Sequence, residues 1–391
     1  MARRVYIHVG APKTGTTYLQ DRMRLNAASL AEHRVQYVVD DDMPTHFGAA
    51  LDLIQEPWGG QRRHFVGAWE DRLMRRVRAA DRDATLVISH EILAGARAEH
   101  VERAMADLSS LEGPGGPGDT EVHLVYTARD LGRQVPAEWQ EGIKHRRQRT
   151  FGTFLEQIRE AEHEDPREMW FWRVQHVPEV LARWGASLPP ERIHLVLVPQ
   201  SREGDDSLWS RWCRALGIGP AWAPKDSSAA NSSIGVAEIK VLRELNIRLA
   251  DADLPGRPYR RLVRQQLVHH NLAQREGMTK AAMPPDVHAW ATDLARGWVE
   301  QLAASGCQVY GDLDELVPRP GPSAEEWVDP DDVPLADQLD VALDALTAMT
   351  EIAADEGRPD PTGGGAPPPA PQRRETLTLT VARRIRDRLR G

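Results

Sequence analysis

Along the first half of the chain, short apolar, β-branched runs alternate with longer stretches in which apolar residues recur every three to four positions. Residues 5–9, 85–89, 122–127 and 193–198 are each nearly all apolar, the pattern of strands covered on both faces. Helical spacing fills the intervals, over 17–30, 69–80, 98–111, 137–143, 151–161 and 169–184. Such βα alternation predicts an α/β fold, three layers with a central parallel sheet flanked by helices. Residues 113–118 read Gly-Pro-Gly-Gly-Pro-Gly, a composition expected to insert a loop with neither helix nor ladder.

Past about residue 205 the strand pattern fades and helical spacing dominates, over 236–250, 260–274 and 287–305. Residues 1–320 are therefore expected to form one α/β domain whose second half, 205–317, is a helical cap. Residues 321–357 carry eleven acidic side chains and no Lys or Arg, marking a separate acidic segment. Within it Leu339, Ala342, Leu343, Leu346 and Met349 keep helical spacing, which predicts an acidic amphipathic helix over 337–354. Residues 358–372 are a Pro/Gly linker, and 373–391 a basic tail with a helix candidate carrying Arg383, Arg384, Arg386, Arg388 and Arg390. Opposite charges on the acidic segment and this tail suggest self-association into a homo-oligomer.

Composition narrows the class. The 391 residues are 41% apolar and 27% charged, with a net charge of −9, as in a globular enzyme. An acidic balance argues against broad nucleic-acid binding. Arginine outnumbers lysine roughly nine to one, a bias that fits a GC-rich genome better than phosphate recognition. Two cysteines, Cys213 and Cys307, cannot build a disulfide framework, and neither they nor the His269-His270 pair has metal-ligand spacing. No apolar run approaches the roughly 20 residues of a spanning helix. The start, Met1-Ala2-Arg3-Arg4, enters the first strand directly, unlike a signal peptide. A reducing cytoplasm is the expected compartment.

The most informative residues are Gly10-Ala11-Pro12-Lys13-Thr14-Gly15-Thr16-Thr17, between the first strand and the first helix. A strand, a tight Gly-containing loop and a helix N-terminus surround an anion with backbone N–H groups. Against the nucleotide loop G-x-x-x-x-G-K-[ST], the glycine spacing is kept and Thr17 takes the hydroxyl position, but Thr16 stands where lysine should be. The lysine has moved to Lys13. A triphosphatase needs lysine on the β and γ phosphates together with magnesium, whereas a lysine inside the loop beside two threonines suits a phosphate–sulfate anhydride.

Here the chain resembles the sulfotransferases that use 3′-phosphoadenosine 5′-phosphosulfate (PAPS), bacterial type. Their phosphosulfate loop is similar to Pro12-Lys13-Thr14-Gly15-Thr16-Thr17 followed by Tyr18. Their 3′-phosphate arginine, at the end of a later strand, is matched by Arg129 in Leu124-Val125-Tyr126-Thr127-Ala128-Arg129-Asp130. A serine commonly follows that arginine by eight residues, where this chain has Ala137. The resemblance implies a P-loop-like fold and transfer of a sulfuryl group without metal to a hydroxyl of a small molecule or glycan. It also implies that Lys13 neutralises the leaving phosphate, and that a glutamate or histidine after the second strand activates the acceptor. Glu91 is preferred, with His90 second. A late loop closing over the 3′-phosphate would come from Asn231-Ser232-Ser233-Ile234-Gly235 or from the basic stretch 257–264. Trp58, in a Pro/Gly loop, could shape an acceptor pocket, and the basic end Lys144-His145-Arg146-Arg147 could meet an anionic acceptor or simply face water.

Two other readings remain at this point. One is a P-loop kinase or nucleotide hydrolase with a degenerate loop, which would require magnesium. The other is a non-catalytic anion-binding scaffold, for which Lys13 and Glu91 would have no use.

Overall fold

In the computed structural model, residues 3–201, 206–227, 233–252 and 254–356 are described. Asn231 and Ser232, the linker 358–372 and the tail 373–391 lie outside them. Six strands form one parallel sheet: β1 (Arg3–His8), β2 (Val35–Tyr37), β3 (Thr85–Ser89), β6 (Thr120–Ala128), β7 (Ile193–Leu197) and β8 (Gln308–Tyr310), in the order β2-β3-β1-β6-β7-β8. Residues 113–118, expected to form no ladder, contribute to a two-rung antiparallel one between β4 (Glu112–Gly113) and β5 (Gly116–Pro117). Gly116, at φ 111°, supplies a reversal that a residue with a side chain rarely adopts.

Alternation decides the layers, because successive strand residues point to opposite faces. One face presents Tyr6, Val87, Val125 and Val196, which pack with Leu19, Met23, Trp209, Trp212 and Leu216. The other presents Val5, Ile7, Leu86, Ile88, Leu124 and Tyr126, all buried. The helices Ala98–Ser109 and Val177–Gly185 lie against β6. A central parallel sheet flanked by helices is thus the architecture. The two edge strands had no legible pattern: Val35-Gln36-Tyr37 and Gln308-Val309-Tyr310 are three residues each and partly polar, too short for a period of two to show.

The helical half is threaded into these layers. The Leu208–Leu216 helix covers β7 and β8, while Val236–Ala250 and Pro285–Ser305 pack on the Leu131–Lys144 helix. That last helix begins six residues before the expected start at 137. Asp130 caps it by accepting the Arg133 N–H at 3.0 Å, and this cap outweighs Pro136, whose missing N–H costs only one early helical bond.

The first compact unit runs to Leu346. Trp327 donates to the Ala282 carbonyl at 2.8 Å, Asp331 accepts from the Phe151 and Gly152 N–H groups, and Arg275 pairs with Glu238, Asp340 and Asp344. These hydrogen bonds and ion pairs hold residues 321–346 within the first unit. The described residues of the second unit, 347–356, are helical. No helix among the described residues is long and apolar enough to cross a membrane.

Candidate active site

The loop leaves β1 still bonded to the sheet: Val9 N–H donates to Val125 O at 3.0 Å and Ala11 N–H to Thr127 O at 3.2 Å. It then reverses through two left-handed residues, Lys13 (φ 64°) and Gly15 (φ 85°), and the helix Thr16–Leu25 starts. Lysine in that region costs about 1–2 kcal/mol, so the surroundings must hold it there. No side chain caps the helix, which leaves its first N–H groups without intrahelical partners and its positive dipole end facing outward.

Beneath the loop runs a hydrogen-bond chain whose direction follows from elimination. The Thr14 hydroxyl donates to Ala11 O at 2.6 Å, since a carbonyl only accepts. Thr127 must then donate to Thr14 Oγ1 at 2.6 Å and accept from His8 Nε2 at 3.1 Å. His8 Nδ1 is left to accept from Ser89 Oγ at 2.7 Å, and Ser89 accepts from Gln20 Nε2 at 3.2 Å. Gln20 also reaches Glu91 Oε2 at 3.3 Å. Burial lowers His8 to about 3, which keeps it in the neutral tautomer that the chain requires. His46 secures the end of β3: its Nε2 donates to Val38 O at 2.8 Å and its Nδ1 accepts from Ser89 N at 3.2 Å.

Above the loop opens a cleft of about 1310 Å³, with Lys13, Gly15, Tyr18, Arg129, Ala137 and Lys144 on one side and Lys280 and Arg319 elsewhere in its lining. Arg129 ends the longest strand. Its Nη1 donates to Lys13 O at 3.2 Å and its Nη2 to Arg133 O at 2.9 Å, while Nε is buried without a partner. Burial lowers Arg129 to about 10, so it is charged at neutral pH. It has carbonyl partners and no carboxylate within ion-pair distance among the described residues. Lys13, by contrast, is paired: its Nζ lies 2.6 Å from Glu141 Oε2. Glu141 also meets His145 at 3.1 Å and Arg264 at 3.5 Å. Burial pushes Glu141 up, but these cationic partners outweigh it and hold the carboxyl well below its usual range. Burial, reinforced by Lys13, lowers Lys144 to about 8.

The structure sorts the sequence-chosen residues into three groups. Lys13, Gly15, Tyr18 and Arg129 line the cleft, with Ala137 and Ser233. Thr14 is turned inward into the hydrogen-bond chain, Thr16 is buried and Thr17 is exposed beside the loop, and none of the three lines the cleft. Glu91 and His90 sit at the end of β3, reached from the loop through Gln20. His90 caps the next turn, its Nδ1 accepting from Ile92 N at 3.3 Å, and burial lowers its proton affinity against the pull of Glu91. For Glu91, burial raises the carboxyl, but His90 and the Gln20 amide more than offset that and keep it below the ordinary range. From the basic stretch 257–264, Arg264 reaches Glu141. Trp58 packs edge-on against Trp170 at 5.1 Å, and Trp170 lies over Gly95, near Glu91. Trp172 and Trp184 are core.

Sequence reasoning missed Gln134, Glu138 and Glu141, which share one face of the helix after Arg129. Glu138 Oε1 accepts from Gln175 Nε2 at 3.3 Å and from Gln134 Nε2 at 3.5 Å, and both amides also hold Pro12 O, at 3.2 and 2.6 Å. The spacing 134, 138, 141 was a usable signal. Gln175 had none, lying 163 residues from Pro12.

No family model matches the chain, and no curated protein matches it. Among solved structures, it is similar to a sulfotransferase from Alicyclobacillus acidocaldarius, at 16% identity and TM-score 0.36, over 66% of this chain and all of that one. It is also similar to the sulfotransferase domain from the curacin biosynthetic pathway, at 12% identity and TM-score 0.28, over 56% of this chain and 75% of that one. Superposition at this level does not carry chemistry from one chain to another, so function has to be argued from the side chains.

Proposed function

We propose that the protein is a sulfotransferase that binds PAPS in the cleft above the Lys13 loop and moves its sulfuryl group to a hydroxyl of a small molecule or glycan. The observation that carries this reading is Arg129, a cation on the cleft wall with a buried, partnerless Nε and no carboxylate within ion-pair distance among the described residues. Such a charge is stabilised by an anion entering the cleft. Arg129 would hold the nucleotide's 3′-phosphate. Lys13 and the N–H groups at the start of the Thr16–Leu25 helix would face the phosphosulfate, where charge develops on the leaving oxygen. Acceptor activation would fall to a carboxylate beside the loop, Glu91 or Glu138. A triphosphate reading would make magnesium obligatory, whereas this one uses the chain's own cations.

Calorimetry with 3′-phosphoadenosine 5′-phosphate in EDTA tests the donor site. Binding is expected without metal, and Arg129→Ala should weaken it by about ten- to hundredfold, the loss of charge-assisted hydrogen bonds. Binding of ATP with magnesium in its place would overturn the proposal in favour of a kinase or hydrolase.

A further inference from the structure

We propose that Glu138 is the catalytic base of this transfer, its open Oε2 taking the proton of the acceptor hydroxyl in place of Glu91 or His90. The inference rests on the sulfotransferase reading and deepens it. Glu138 is clamped to the loop through one oxygen. Gln134 and Gln175 each bridge its Oε1 to the carbonyl of Pro12, the residue before Lys13. These two amides come from different helices, Leu131–Lys144 and Trp170–Gln175, so the carboxylate cannot swing without breaking both. Its Oε2 makes no hydrogen bond to the described residues and is not sealed from solvent. One oxygen anchored and the other open is the arrangement of a positioned base.

The charges around it tune it for that task. Burial raises Glu138 to about 7; Lys13 pulls it down, while Glu141 on its own helix and Glu91 after β3 push it up. Arg129 and Tyr126 of the β6 segment and Arg149 ahead of the Phe151–Glu164 helix also face it. A carboxylate that titrates near neutrality is ionised often enough to act and still basic enough to take a proton. Glu91 is held low and bonded to Gln20, and the Nδ1 of His90 is taken by Ile92 N–H. Two neighbouring carboxylates with separated proton affinities divide their roles in this way.

The step balances. The acceptor O–H bond breaks and its proton goes to Glu138 Oε2. The oxygen's electron pair forms the new O–S bond. The S–O bond to the 5′-phosphate breaks, and its pair stays on that phosphate oxygen, facing Lys13. Water later takes the proton from Glu138.

The test uses the full chain with labelled PAPS as donor, and water or unsubstituted phenol, which keeps its O–H across this pH range, as the acceptor probe. Rate should rise with pH through about 7, because only the ionised carboxylate accepts a proton. Glu138→Gln should cut turnover by about 10²–10⁴-fold and remove this rise, with affinity for 3′-phosphoadenosine 5′-phosphate unchanged. Glu138→Asp should restore part of the rate and keep the rise, and Glu91→Gln should leave the rise in place. Carbon NMR of glutamate-labelled protein, with the signal assigned by its loss in Glu138→Gln, should show titration near 7. A titration in the ordinary carboxylate range would overturn the assignment. So would a pH rise that survives Glu138→Gln, or one that vanishes in Glu91→Gln. Failure of the nucleotide to bind the unaltered protein sinks the sulfotransferase reading itself, whereas intact binding with undiminished Glu138→Gln turnover sinks only the base.

Discussion

Lys13→Ala is expected to lower sulfuryl turnover by about 10²–10³-fold, the loss seen when a preorganised group facing developing charge is removed. Lys13 is the only cation in the loop, and its backbone is locked at φ 64° while its carbonyl accepts from Arg129. Its Nζ is held on Glu141 at 2.6 Å, which fixes the charge in place before any ligand arrives. Substitution should also weaken binding of 3′-phosphoadenosine 5′-phosphate about ten- to hundredfold, the range of one charged hydrogen bond. The fold should tolerate the change. Alanine meets the same left-handed strain as lysine, and Glu141 keeps His145 and Arg264 as partners. Lys13→Arg separates charge from geometry: affinity should largely return, but turnover should not, because the guanidinium cannot occupy the ammonium's place. Turnover of Lys13→Ala within about tenfold of the parent, at saturating donor, would show that Lys13 is not the charge at the leaving oxygen.

Gly10→Ala is expected to destabilise the protein by about 3–5 kcal/mol, the range for buried polar groups left unpaired together with overpacking. A β-carbon there would lie 2.2 Å from Thr127 Oγ1 and 2.3 Å from His8 Nε2. Both atoms belong to the directed chain from Gln20 to Thr14, and both are fully buried. Moving either opens the His8–Thr127 bond, and moving Thr127 also takes from Thr14 its donor. Urea denaturation at constant slope should read the loss as a lower midpoint. Gly297→Ala provides the contrast. It lies inside the Pro285–Ser305 helix with nothing near its absent β-carbon, so alanine should stabilise by about 0.4–1 kcal/mol. Equal midpoints for the two variants would mean that the chain beneath the loop contributes nothing to stability.

The four long strands were legible because each is a continuous apolar run, which a doubly covered parallel strand must be. The loop and Arg129 were legible because backbone reversal and strand ends leave local marks: Gly15 at a left-handed position, and a cation at the end of Val122–Ala128 apolar sequence. β2 and β8 were not, since three-residue edge strands carry no period. The Leu131–Lys144 helix starts ahead of the expected 137 because the Asp130 cap sets its first turn and Pro136 is tolerated within it.

The sequence alone therefore determined the α/β layering, the reversing loop after the first strand and the arginine at the end of a later one, since periodicity, glycine and strand boundaries are local properties of a chain. Only the tertiary structure decided what those residues do to one another. It paired Lys13 with Glu141 and gave Arg129 backbone carbonyls, with no carboxylate at ion-pair distance among the described residues. It turned Thr14 inward through His8 and Thr127, and brought Gln175 across 163 residues to clamp Glu138 beside the loop. The reason is physical: charge compensation and proton affinity depend on burial and on neighbours within a few ångströms. Those neighbours come from elements far apart in the chain, where no spacing records them.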